Sequence, residues 1–263
     1  MHASRLAALI AAALTLPGVP ARADDDVKAA VSVPPLYGYV EGTTNYVSRG
    51  LSQSVGRPSA QGEIDVNAGP GLYGAAAIAA IDWVDAVYPG ADVPAEVAGV
   101  IGYRTIVESG AVIETGVLRL QYPGHYPSTS TLLRPDTTEL FGRVRWRGLR
   151  AQFNRAATDA FGSRDSRGSW YLDVSAAMPV SPFWLLGAHM GRSHTSGNDP
   201  LNGKPYSPQF SYTDYKVSAT RYFGGGLSLA LAYTWSTAAS GVYTLNGYNT
   251  GGEQFVAALE LDF

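Results

Sequence analysis

The sequence predicts an all-β fold, a transmembrane up-and-down antiparallel β-barrel of about 12 strands, and three observations carry that prediction. In the last segment, Phe255, Ala257, Leu259, Leu261 and Phe263 alternate with Val256, Ala258, Glu260 and Asp262. A period of two puts the first set on one wholly apolar face of a strand and the second on the other. Strand-like segments are joined by connections that alternate long and short, as an outer-membrane barrel requires. The chain also opens with the features of a secretory signal, and no later apolar run approaches the roughly 18 residues of a membrane helix. Open sheet edges are not tolerated in lipid, so a membrane-spanning chain of strands has to close on itself.

Residues 1–23 have a weakly basic start at Arg5, an apolar run from Leu6 to Leu16, Pro17, and the small-x-small site Ala21-Arg22-Ala23. This reads as a cleaved signal peptide, too short and wrongly flanked to span a membrane. Cleavage removes Arg5 and Arg22, leaving 17 basic against 22 acidic residues and a formal charge of −5. A mildly acidic chain lacks the footprint of a nucleic-acid binder. The absence of cysteine excludes disulfides, thiolate metal sites and a lipid anchor on cysteine. Residues 24–35 are short, charged and end in proline, a periplasmic lead-in to a barrel over 36–263.

The predicted strands are 36–48, 59–67, 72–84, 93–105, 111–122, 136–146, 149–156, 168–178, 183–192, 209–223, 227–236 and the closing segment to Phe263. Tight connections at Gly69-Pro70-Gly71, Glu108-Ser109-Gly110, Arg147-Gly148, 179–182 and Gly224-Gly225-Gly226 alternate with longer polar loops. The even count puts both termini on the short-turn, periplasmic side. Alternation assigns outward faces: Leu227, Leu229, Leu231, Tyr233 and Trp235 in one strand, Trp170, Leu172, Val174, Ala176 and Met178 in another. In the third strand it selects Tyr73, Ala75, Ala77, Ala79, Ile81 and Trp83. Aromatics thus fall at strand ends, where an interfacial girdle would place them. The fifth strand changes phase between Ile113/Thr115/Val117 and Leu118/Leu120/Tyr122, which predicts a bulge near Gly116.

The lumen set follows. Glu41, Glu63, Asp65, Asp82 and Glu96 come from early strands, Arg119, Arg143, Arg145 and Arg150 from middle ones, with Glu139 among them and Arg155 near a rim. Asp173, His189, Asp214, Lys216, Glu260 and Asp262 come from late ones. Carboxylates on one wall and arginines on the facing wall would set a transverse field across a pore, tuning ion selectivity. The same groups could instead pair as structural salt bridges in a filled lumen, because 12 strands lie between plugged and wide barrels. An outer-membrane hydrolase would need a nucleophile near His189, with Ser175, Ser211 and Ser218 as the serines to consider, yet no nucleophile elbow occurs. His125, His194, Asp199 and Asp136 lack metal-ligand spacing. Loops such as 243–250 fit a surface-binding or adhesion role in a closed barrel. With no passenger ahead of the first strand, an autotransporter is disfavoured.

The stretch NYVSRGLSQSVGRPSAQGEIDV at 45–66, with Asn45-Tyr46-Val47-Ser48-Arg49-Gly50 and Pro58-x-x-Gln61-Gly62, resembles the N-terminal signature of the TorF-type porin family. Gly71-Leu72-Tyr73-Gly74, Tyr122-Pro123-Gly124, Tyr171-Leu172-Asp173 and Tyr212-Thr213-Asp214-Tyr215-Lys216 follow in the same order, over nearly all the mature chain. The resemblance implies a Gram-negative outer-membrane channel for passive diffusion of small hydrophilic solutes or ions, without cofactor or catalytic residues. Its surroundings would be outer-membrane lipid and the barrel assembly machinery, for which the terminal Phe263 resembles the recognised final aromatic. The Ala-rich third strand and the long loops 193–208 and 237–251 depart from the family pattern.

Overall fold

The computed structural model describes residues 35–128, 133–200 and 202–263. Twelve antiparallel strands form a closed barrel. In chain order they are β1 (Leu36–Thr43), β2 (Ser59–Asn67), β3 (Leu72–Ala80), β4 (Ala95–Ile106), β5 (Val112–Gln121) and β6 (Thr137–Trp146). They continue as β7 (Leu149–Ala156), β8 (Trp170–Ser181), β9 (Trp184–His194), β10 (Tyr212–Gly224), β11 (Leu227–Ser236) and β12 (Gln254–Asp262). Each strand pairs with its chain neighbours, and β12 pairs with β1 to close the ring, Val40 standing opposite Leu261. Phe263 prolongs this seam: its N–H donates to the Gly38 carbonyl at 2.9 Å, and its carbonyl accepts the Gly38 N–H at 3.0 Å. The predicted signal peptide lies outside the described residues, as does all of the lead-in except Pro35.

Strands β2, β7 and β11 run over the residues alternation predicts. The outward sets expected in β8, β11 and β12 also face outward, with Phe255, Leu231 and Met178 all exposed. The third strand is inverted relative to its reading. Tyr73, Ala77 and Ala79 are buried, whereas Leu72 and Ile78 are exposed. Register explains the inversion. Residues directly opposite share a face, and Ala75 and Ala77 stand opposite Asp65 and Glu63. The aromatic that suggested a girdle, Tyr73, turns inward over Gly102, where a Cβ would lie 2.6 Å from the ring. The bulge near Gly116 is also absent, and β5 pairs without a register shift on both sides. Leu118 and Leu120 point inward rather than to the outside, so the strand needs no change of phase.

Their destination is an apolar core filling the long-loop end of the barrel. The strand predicted over 36–48 stops at Thr43, and residues 45–55 fold into the lumen, all but Val47 buried. Within them Val47–Ser48 pairs with Leu51–Ser52 around Arg49 and Gly50. Both turn residues have positive φ, 48° and 73°. That is the type I′ geometry that two-residue hairpins favour. The third strand likewise stops early, at Ala80, and helix α1 (Trp83–Val87) crosses the mouth with Trp83, Val84 and Val87 buried. Trp83 meets Tyr122 edge-on at 5.2 Å. Two further helical turns, α2 (Ser207–Phe210) and α3 (Ser240–Tyr243), add Phe210 and Tyr243 to the same core.

Candidate functional site: the barrel lumen

The lumen has two halves of different chemistry. The long-loop half is the packed core just described; the short-turn half is lined by charge. On β12, β1 and β2 stand Glu260, Asp262, Glu41, Glu63 and Asp65, with Glu41 directly opposite Glu260 and also opposite Gln61, which donates to it. Like charges opposite one another destabilise a sheet. The Glu41–Glu260 pair therefore costs stability rather than supplying it when both are ionised.

Arginines occupy β4, β6 and β7, and β7 lies six strands from β1, across the barrel. Glu114 on β5 takes three of them. Arg104 Nε donates to its Oε1 at 2.5 Å and Arg143 to its Oε2 at 3.0 Å, with Arg145 at 3.4 Å from Oε1. Arg104 also stacks over the inward Tyr73 ring, 4.6 Å from its centroid.

Two charged networks run from this wall toward the hairpin turn. In the first, Arg143 Nε donates to Gln152 (2.8 Å), Gln152 to Asn154 (2.8 Å), and Asn154 to Glu139 Oε2 (2.9 Å). Glu139 holds both terminal nitrogens of Arg49, at 3.0 and 2.6 Å. In the second, Arg150 reaches Asp173 at 3.1 Å and Asp173 Oδ2 lies 2.7 Å from His189 Nδ1. His189 Nε2 lies 2.8 Å from Asp214 Oδ1, and Tyr171 donates to Asp214 Oδ2 at 3.0 Å. Gly50 rests on Asp214, where a Cβ would come within 2.2 Å of that residue's own Cβ. Arg49 lies over the Tyr171 ring at 4.7 Å. The hairpin that starts from β1 thus spans the lumen and seats on β6, β8 and β10.

Of the residues expected in the lumen, Glu41, Glu63, Asp65, Arg143, Arg145 and Arg150 face it. Glu96 faces inward within the apolar core, fully buried and hydrogen-bonded by Tyr122 (2.5 Å) and Tyr46 (3.4 Å). Three expectations are corrected. Arg155 stands opposite Leu140 and Trp170 on the outward phase of β7 rather than at a lumen rim. Asp82 lies past the end of β3 at the start of α1, paired with Arg57 at 3.2 Å on the mouth. Arg119 shares the outward phase of Val117 and pairs with Thr138 and Asp136 at 2.9 and 3.7 Å. The inward positions beside it belong to Leu118 and Leu120, which the mouth core claims.

Arg104, Glu114 and Arg49 were not singled out by sequence. One signal was available for the first two: counting equally outward from the Glu108-Ser109-Gly110 turn places Arg104 opposite Glu114, as observed. Arg49-Gly50 could be read as a hairpin turn, but nothing local says that the hairpin folds inward.

Ser175 Oγ lies 3.3 Å from His189 Nδ1, a spacing that invites a hydrolase reading. Both ring nitrogens, however, face carboxylate oxygens at 2.7 and 2.8 Å. Ionised carboxylates only accept, so both contacts are hydrogen bonds when the ring donates at each nitrogen, and a ring so protonated has no lone pair for a serine proton. The serine hydroxyl itself donates to Asp173 at 2.9 Å. Among the described residues no three His, Cys, Asp or Glu side chains are grouped to hold a metal ion.

No curated protein matches this sequence. Among solved structures the chain is similar to the KdgM porin, with 8% identity, 87% of this chain and 99% of that chain covered and a TM-score of 0.51. It is also similar to the NanC porin, with 11% identity, 86% and 98% coverage and a TM-score of 0.51. At such identities the likeness establishes the barrel fold alone. A family described as bacterial proteins of unknown function, Gcw_chp, matches residues 30–263, and the chain belongs to this family.

Proposed function

We propose that the protein is an outer-membrane channel of a Gram-negative bacterium, of the TorF-type porin class, passing small hydrophilic solutes or ions by passive diffusion. The observation that carries this reading is the charged short-turn half of the lumen. Its inward Lys216 and Asp262 are exposed, as solvated groups are, although they point to the inside of a barrel. The carboxylate wall Glu41/Glu63/Asp65 and the arginine wall Arg143/Arg145/Arg150 would set selectivity. The residue 45–55 segment acts as the gate, closed in the conformation described above, and the Arg49–Glu139 pair latches it. This reading gives His189 no catalytic role, since each of its ring nitrogens faces a carboxylate oxygen.

The test is planar-bilayer conductance of refolded protein, wild type beside a variant with residues 46–55 replaced by a short Gly-Ser linker. Discrete steps that become larger or more frequent in the variant support the channel. Silence in both, with no swelling of liposomes, overturns it. The packed mouth specifically favours a second reading, a closed barrel whose loops bind a partner at the surface. A silent gate-deleted barrel would leave that reading standing.

A further inference from the structure

The outward phase of the barrel carries a charge pattern that conduction does not use. Along the twelve strands the Asp, Glu, Lys and Arg residues on this phase are Arg119, Arg155, Arg192 and Arg221, all cationic. Neighbours in register fix the phase: Arg155 stands between Leu140 and Trp170, and Arg192 stands between Leu172 and Thr213. Three of the four sit within two residues of the long-loop ends of β5, β7 and β9. These strands alternate round the wall, so consecutive arginines are two strands, about 10 Å, apart. On the opposite side, the long-loop ends of β11, β12 and β1–β4 present Trp235, Phe255, Gly42, Ala60, Ala80 and Ala95, none of them charged.

Aromatic residues lie among these arginines, Trp170 directly opposite Arg155. Phe153 and Trp170 pack at 5.9 Å, and Trp170 stacks on His194 at 5.3 Å, directly beside Arg155 and Arg192. Aromatics of this kind mark the level where acyl chains give way to headgroups. An arginine at that level is inexpensive to keep, at about 0–1 kcal/mol, and its guanidinium forks match phosphate oxygens bidentately. Arg119 is steadied by the Thr138 hydroxyl at 2.9 Å and by the Asp136 carboxylate at 3.7 Å, and Arg192 by the Thr213 hydroxyl at 3.0 Å.

We infer that Arg119, Arg155 and Arg192 form a lateral binding face for a phosphate-bearing glycolipid of the outer leaflet, whose acyl chains lie along β5–β9. This rests on the membrane orientation proposed above, but not on conduction.

Native mass spectrometry of the detergent-solubilised, refolded full chain tests the inference. The probes are bisphosphorylated lipid A, the same glycolipid stripped of both phosphates, and phosphatidylglycerol. Wild type should hold bisphosphorylated lipid A at concentrations at least tenfold below those needed by the triple variant R119Q/R155Q/R192Q. R221Q, at the other rim, should bind like wild type. The stripped glycolipid and phosphatidylglycerol should bind wild type at least tenfold more weakly. Equal binding by a triple variant that keeps its heat-modifiable gel shift would overturn the proposal. So would wild type holding the stripped lipid or phosphatidylglycerol equally well. Those two comparisons use wild type alone and decide the matter if the triple variant does not fold.

Discussion

Arg49 and Glu139 meet at 2.6 Å with their side chains only 3% and 4% exposed, joining the tip of a loop to a strand five places away along the wall. Breaking a buried pair by removing one partner leaves an uncompensated charge and costs about 3–5 kcal/mol. Arg49→Ala should therefore lower the unfolding midpoint of the refolded barrel and make residues 45–57 sensitive to protease. The double variant R49A/E139A should be less destabilised than the sum of the two single variants. Strict additivity would mean that the two side chains do not hold one another.

Gly50 tests the same seat by shape rather than charge. Its φ of 73° disfavours any side chain, and a Cβ would strike Asp214. Gly50→Val should unseat the hairpin while leaving the twelve strands intact, read as enlarged conductance steps with an unchanged heat-modifiable gel shift. A closed, protease-resistant mouth in this variant would contradict the seating described.

Glu114 pairs with Arg104, Arg143 and Arg145 at once. Glu114→Gln leaves three guanidinium groups facing one another, and a loss of about 3 kcal/mol in denaturant unfolding is expected. If the lumen conducts, the reversal potential in a salt gradient should move toward anions, and R143E/R145E should move it toward cations. Unchanged selectivity in both variants would remove these residues from the selectivity role.

The inverted face of β3 is directly measurable. Single cysteines at Ala77 and Ile78, labelled with a nitroxide in vesicles, should report opposite surroundings: Ile78 open to lipid-dissolved oxygen and Ala77 shielded from it. The reverse result would restore the alternation-based reading of this strand.

Phe263 contributes to the barrel seam through its backbone, and the residue is 63% exposed. Deleting it should slow insertion by the assembly machinery in cells, and Phe263→Trp should restore it. Normal insertion of the truncated chain would remove the assembly role from this residue.

The strand count and the closing strand's apolar face were legible in the sequence, because a period of two is a local property that survives without knowledge of partners. β8, β11 and β12 carried the signal cleanly, with large apolar residues on one phase and small or polar ones on the other. β3 did not, since alanines occupy both phases and only pairing with Glu63 and Asp65 on β2 decides which faces inward. Arg119 was misplaced for a related reason: arginine at a strand end looks like a lumen residue until Leu118 and Leu120 are known to serve the mouth core. Tertiary structure alone decided that residues 45–55 turn inward, that Arg49 meets Glu139 across 90 residues of chain, and that Gly50 rests on Asp214. Sequence records which side chains alternate along one strand; which of them meet across a closed ring depends on register and on where each loop buries its apolar side.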